Sequence, residues 1–170
     1  RFRHEAEVAV GIDSPHVAKV FDVGAEGRTL FMAMELIDGW PLNHVCTQTI
    51  VAGERIPPEV AVDIIDDVLH GLAAVHEAQH PRTGERLDFV HRDLSPKNVM
   101  LGRDGRARLI DLGLGQSRLQ DWATATGVVM GTPGFMSPEQ AYGRRPDQRS
   151  DLYCIGLILF ELLTQRPYID

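Results

Sequence analysis

The 170-residue sequence sets 17 Lys and Arg against 24 Asp and Glu, a formal net charge of −7, and is 44% hydrophobic. That is one globular domain or a large piece of one, able to hide roughly 70% of the surface its unfolded chain exposes, so disorder is excluded as the default. The acidic balance argues against nonspecific nucleic-acid or anionic-membrane binding; Arg144, Arg145 and Arg149 form a local basic cluster best read as a solvated loop.

Composition predicts a helix over residues 2–11, broken by Asp13-Ser14-Pro15. Residues 17–21 and 30–36, rich in β-branched and large apolar side chains, read as an antiparallel pair around a Gly24 to Gly27 turn, the second strand ended by Asp38-Gly39. Pro57-Pro58-Glu59 opens a long helical pattern with apolar residues at Val60, Ile64, Val68, Leu72 and Val75, stopped by Pro81 and Gly84. Between Val99 and Ile110, two short apolar segments flank Asp104-Gly105, the strongest hairpin signal in the chain. Residues 151–164, apolar almost all round, read as a helix buried in a core. There is no internal repeat, low-complexity tract or linker.

Cys46 and Cys154 lie far apart with no second ligand pair near either, so neither a disulfide framework nor a structural zinc site is indicated, and a reducing, cytoplasmic setting fits. The longest apolar stretch, residues 154–160, is too short to span a bilayer. The start, Arg-Phe-Arg-His-Glu, has neither an initiator Met nor a leader pattern, which reads as an internal piece; regions outside it could still anchor a longer protein to a membrane.

If Asp104-Gly105 fills the two central positions of a tight turn, residue 103 faces 106, 101 faces 108 and 98 faces 111, which sets Asn98 opposite Asp111. Opposed side chains stand about 4.5–5.5 Å apart at their β-carbons, close enough to share a cation. An amide oxygen beside a carboxylate is hard-oxygen ligation suited to Mg²⁺, and Asp93 converges from the entering loop. The same pair also suits plain strand-end caps, and spacing alone leaves both readings open.

The segment His91-Arg92-Asp93-Leu94-Ser95-Pro96-Lys97-Asn98, followed by Asp111-Leu112-Gly113, resembles the catalytic and metal loops of protein kinases. Gly131-Thr132-Pro133-Gly134-Phe135-Met136-Ser137-Pro138-Glu139 resembles the end of a kinase activation segment, and Asp151-Leu152-Tyr153-Cys154-Ile155-Gly156 the start of the central helix. Glu5 resembles the small-lobe helix glutamate, and Met34-Glu35-Leu36-Ile37 the gatekeeper and hinge that meet adenine. The wording is most similar to bacterial Ser/Thr kinases of the eukaryotic type, across essentially the whole chain.

The resemblance implies an α+β, protein-kinase-like fold: a truncated small lobe (1–36), a hinge (35–39), and the first part of a helical large lobe (40–170). It implies ATP and Mg²⁺ as cofactors and protein Ser/Thr hydroxyls as substrates. Asp93 would accept or orient the substrate proton, Asn98 and Asp111 would hold Mg²⁺, and Met34, Glu35 and Ile37 would line the adenine site. His91, Glu139 and Asp151 would be structural, Thr132 would favour Ser/Thr acceptors, and Thr124 and Thr126 would be activation-loop phosphosites received by Arg92, or else plain loop threonines. Three departures stand out: Leu112 replaces the commoner Phe; Ser95 replaces the usual loop lysine, with Lys97 two places later; and no glycine-rich phosphate loop or lysine partner for Glu5 occurs, the only lysines being Lys19 and Lys97. Lys97 reads as a stand-in for the displaced lysine or as a solvent-facing residue.

Two rivals remain. A pseudokinase-type binding module would share the fold, but retention of Asp93, Asn98 and Asp111 together argues against it. His76-Glu77-Ala78-Gln79-His80 matches the zinc-peptidase helix motif formally, although Pro81 follows at once and the extended motif is absent.

Overall fold

The computed structural model describes residues 9–26, 29–80, 83–87, 89–112 and 132–168. Residues 9–11, within the span of the first expected helix, are helical; Glu5, Gly113, Thr124, Thr126 and Gly131 lie outside the described residues.

Strands β1 (Val20–Glu26) and β2 (Thr29–Met34) form an antiparallel pair. The expected Gly24 to Gly27 turn is corrected: Gly24 pairs with Phe31 inside the ladder, which runs on to Glu26 opposite Thr29. Strand β3 (Gly39–Pro41) joins β4 (Val99–Gly102) and β5 (Ala107–Leu109) in a second sheet, ordered β3-β4-β5. Residues 16–19 tie the two sheets together. Ala18 donates to Leu109 O at 2.8 Å, Leu109 to His16 O at 2.9 Å, and Glu35 to Lys19 O at 2.8 Å.

Helix α1 (Leu42–Val51) has no counterpart in the sequence reading. Its threonines are poor helix formers, and the Thr47 hydroxyl bonds back to Asn43 O, as does that of Thr49 to Val45 O and Cys46 O. Helix α2 (Pro58–His76) begins where Pro at its first position predicts, and buries Ala61, Ile64, Ile65, Val68, Gly71, Leu72 and Val75. Val60 is exposed instead, because the buried stripe follows the 61/64/65/68 phase. Gly71 is required by close approach: a Cβ there would stand 2.5 Å from His16 O. The helix ends at His76, capped by Glu77, before the breakers at 81 and 84.

The β4–β5 hairpin shows a one-residue correction of register. Val99 faces Leu109, Met100 faces Arg108 and Leu101 faces Ala107. Among the described non-glycine residues only Arg92, Asp111 and Gln165 have positive φ, so Asp104 does not adopt the left-handed conformation that a two-residue type I′ turn needs. Gly105 alone does, at φ 81, and the Asp104 carboxylate accepts from Arg106 N at 3.2 Å and pairs with Arg108. The loop therefore holds three residues, closed by Gly102 N donating to Arg106 O at 2.9 Å. A one-residue shift turns every side chain to the other face, so Asn98 bonds opposite Ile110, through Ile110 N to Asn98 O at 2.9 Å, and not opposite Asp111.

After the short helix α3 (Pro138–Ala141), helix α4 (Gln148–Thr164) starts three residues earlier than expected. Asp147 caps it, accepting from Arg149 N, with a reciprocal bond from Asp147 N to Ser150 Oγ. It is not buried all round: Cys154, Ile155, Leu157, Ile158 and Leu162 pack inward, while Leu152, Tyr153, Phe160 and Leu163 are exposed. The core joins α2, α4, β4 and β5 through Val68, Leu72, Val75, Val99, Leu109 and Ile158, each fully buried. At about 1.5–3 kcal/mol per buried aliphatic side chain, this cluster holds the loop that follows α2 against α4.

Candidate active site

That loop, residues 91–98, is fastened from below by Asp151 on the first turn of α4. Its carboxylate, 1% exposed, accepts from His91 N at 2.9 Å through Oδ2, from Arg92 N at 2.9 Å through Oδ1, and bonds His76 Nε2 at 2.8 Å. A buried carboxylate is tolerated when donors surround it, as here. His76 thereby finds its role. As the last residue of α2 it points to Asp151, whereas His80 lies beyond the helix end, so the two imidazoles do not share a helical face and the zinc-peptidase reading falls. Among the described residues no group of three His, Cys, Asp or Glu could hold a metal ion.

His91 is fully buried. Desolvation holds its imidazole below the ordinary value of 6.5, against the opposing pull of Asp151, Asp111 and Asp93, which places all three carboxylates within electrostatic reach of the ring. Arg92 is left-handed at φ 70 and Asp111 at φ 54.

Asp93 sits at the meeting point. Its Oδ1 accepts from the Thr132 hydroxyl at 2.9 Å, and its Oδ2 from Asn98 Nδ2 at 3.3 Å and from Lys97 Nζ at 3.2 Å. Asn98, 5% exposed, also donates to Asp93 O at 2.8 Å, so its amide nitrogen is committed to Asp93. Asp111 is exposed and lies within electrostatic reach of His91. An amide oxygen and a free carboxylate suit Mg²⁺; the register argument that first joined them does not hold, and their pairing rests on the resemblance. Ser95, at the usual lysine position, is fully buried with its hydroxyl 3.5 Å from that of Thr132.

The segment opposite is also tied down. Ser150 donates to Glu139, which holds that carboxyl below its ordinary range. Gln140 donates from Nε2 to Arg92 O at 2.7 Å and accepts through Oε1 from Ser137 N and Ser137 Oγ, both at 3.1 Å. Cys154, its thiol pushed up to about 12 chiefly by burial, donates to Phe135 O at 2.9 Å. Sequence reasoning missed the roles of His76, Gln140 and Ser150; the Ser137-x-x-Gln140 capping box and the Asp147-x-x-Ser150 cap spacing offered local signals for the last two.

At the segment read as the hinge, Met34 closes β2. Glu35 exchanges two bonds with Lys19, its N–H to Lys19 O and its Oε2 accepting from Lys19 N at 3.2 Å. Leu36 is 94% exposed and Ile37 half-buried. Asp38 is held by Arg103, whose guanidinium also stacks 4.6 Å over the Trp40 ring.

Comparison with known proteins agrees with this geometry. Residues 1–170 match the protein kinase domain family. The chain is 37% identical over 164 residues to the serine/threonine-protein kinase PknL of Mycobacterium tuberculosis, covering 96% of this chain and 38% of that protein. It is 32% identical over 170 residues to the serine/threonine-protein kinase PrkC of Bacillus subtilis, covering 100% and 24%. The crystal structure of the Mycobacterium tuberculosis PknI kinase domain superposes with a TM-score of 0.77 at 27% identity, covering 100% of this chain and 58% of that one. The chain belongs to the protein kinase domain family, with relatives of the bacterial, eukaryotic-like Ser/Thr type, and has part of the protein-kinase-like fold. It spans well under half the length of these curated relatives. No helix among the described residues is long and apolar enough to cross a membrane.

Proposed function

We propose that the protein of which this chain is part transfers the γ-phosphoryl group of ATP to serine and threonine hydroxyls of proteins. The observation that carries the reading is Asp93, whose carboxylate joins the Thr132 hydroxyl at 2.9 Å, the Lys97 ammonium at 3.2 Å and the Asn98 amide at 3.3 Å. A carboxylate so placed can orient an incoming hydroxyl and take its proton, with Lys97 beside the developing charge; kinases work chiefly by such positioning and charge stabilisation.

Asn98 and Asp111 are the residues that would hold Mg²⁺, which when bound neutralises charge on the phosphate oxygens. The hinge residues Met34, Glu35 and Ile37 would receive adenine, with Glu5 on the phosphate side. Residues 1–36, 35–39 and 40–170 then divide as small-lobe part, hinge and large-lobe part, and a cytoplasmic location supplies the ATP. Glycine-rich loop and strand lysine are absent from these 170 residues, so the chain by itself is expected to be inactive; autophosphorylation by it alone would refute that.

The test is transfer of labelled phosphate from Mg-ATP to a protein acceptor by the full-length protein, followed by phosphoamino-acid analysis. Phosphoserine or phosphothreonine is expected, abolished by Asp93→Asn and by Asp111→Asn with folding nearly intact. Nucleotide binding without transfer would make the protein a pseudokinase-type binding module, and undiminished activity in Asp111→Asn would remove the metal assignment.

A further inference from the structure

Arg92 occupies a left-handed backbone conformation, φ 70, that a non-glycine residue keeps only when its surroundings hold it there. One hold is Asp151, which takes the Arg92 N–H at 2.9 Å. The other acts on the carbonyl: Gln140 Nε2 donates to Arg92 O at 2.7 Å, across 48 residues of sequence. Gln140 is 8% exposed, and its amide orientation is fixed from both ends, because Oε1 already accepts from the N–H and hydroxyl of Ser137.

The Arg92 carbonyl belongs to the peptide unit from which Asp93 departs, so holding that carbonyl sets the direction in which the Asp93 side chain leaves the loop. The Asp93 carboxylate then meets Thr132, on the same segment that carries Ser137 and Gln140. The loop and the segment are thus joined at two places, around Thr132, which meets Asp93 and Ser95, and through Gln140.

We propose that Gln140 is a positioning residue for phosphoryl transfer: it fixes the Arg92 peptide so that Asp93 faces the segment that presents the acceptor hydroxyl. This rests on the kinase reading above. Among the described residues, no side-chain bond of Gln140 reaches residues 34–37 or Asn98, so its loss should act on transfer and not on nucleotide affinity.

Two variants of the full-length protein test it. Gln140→Glu keeps an oxygen for the Ser137 cap but replaces the donor to Arg92 O with a second oxygen; Gln140→Met removes all three side-chain bonds at similar volume. In each, kcat is expected to fall at least tenfold while KM for ATP stays within twofold. A kcat within threefold of wild type in both variants would overturn the proposal, as would a KM for ATP that collapses together with kcat in both, since that is general unfolding of the site. A wild-type protein that transfers no phosphate would refute the kinase reading itself, a failure visible before any substitution is made.

Discussion

The Thr132 hydroxyl donates to Asp93 Oδ1 at 2.9 Å, joining two loops 39 residues apart in sequence. Asp93 is only 12% exposed at its side chain, so the bond forms where water competes poorly. Thr132→Val removes the donor at nearly constant shape. It is expected to lower kcat about tenfold, the equivalent of about 1.4 kcal/mol, and Thr132→Ser to restore it. Steady-state kinetics of the full-length protein with a threonine-containing peptide check this; equal kcat in the Val variant would sever Thr132 from the reaction.

Asp151 carries three donors from two elements, His91 N, Arg92 N and His76 Nε2. Truncation leaves all three buried and unanswered, a cost of about 3–5 kcal/mol by analogy with breaking a buried charged pair. Asp151→Ala should therefore lower the urea midpoint sharply, and His76→Ala, which frees a single bond, by about a third as much. A loss under about 1 kcal/mol for Asp151→Ala would show that the backbone of residues 91–92 is held by other contacts.

How far these features could be read beforehand differs by the range of the interaction. The long helix was legible because its apolar period is local, although its phase favoured Ala61 over Val60. The hairpin was legible as a hairpin, but its register was not: Asp104-Gly105 serves a two-residue and a three-residue loop alike, and the choice fell to the Asp104 carboxylate, which bonds Arg106 N and Arg108. Asp93, Asn98 and Asp151 were legible through the family resemblance. The bonds of His76 to Asp151 and of Gln140 to Arg92 span 75 and 48 residues, and no spacing rule reaches that far.

His91 makes stability fall in acid. Burial holds its folded pKa below the unfolded value of 6.5, so as pH drops below 6.5 the unfolded chain takes up a proton that the folded chain refuses. Stability is full above 6.5 and is lost below it by up to about 1.4 kcal/mol per pH unit from this group. Chemical denaturation at pH 7.5 and 5.5 should show the loss, and His91→Leu should flatten it. An equal pH dependence in the variant would assign the acid sensitivity elsewhere.

Thr124 and Thr126, in a polar stretch ahead of Gly131, are expected to carry phosphate in the active full-length protein. A charge of about −1.5 to −2 placed near the Arg92 guanidinium can order such a loop. Mass spectrometry of active protein should find at least one of them modified, and phosphatase treatment should lower activity. Full activity with both unmodified would leave them plain loop threonines.

Lys97 separates stability from catalysis. Its ammonium stands 3.2 Å from Asp93 Oδ2 and is 48% exposed, an ion pair at four residues' spacing whose worth to folding is about 0.2–1 kcal/mol at most. Ser95, at the position where the Ser/Thr kinase pattern has lysine, is buried and uncharged, so Lys97 is the cation that this loop sets beside the Asp93 carboxylate. Its four-carbon stem lets the ammonium move from Asp93 toward a phosphate without moving the backbone. Lys97→Ala in the full-length protein should hence leave the denaturation midpoint almost unchanged and lower kcat by roughly 10²–10³, the loss typical of deleting one preorganised electrostatic contact. Parallel measurement of both quantities decides the matter: a kcat change below about threefold, well under the 1.4 kcal/mol of a tenfold loss, would return Lys97 to the surface and strengthen the pseudokinase alternative.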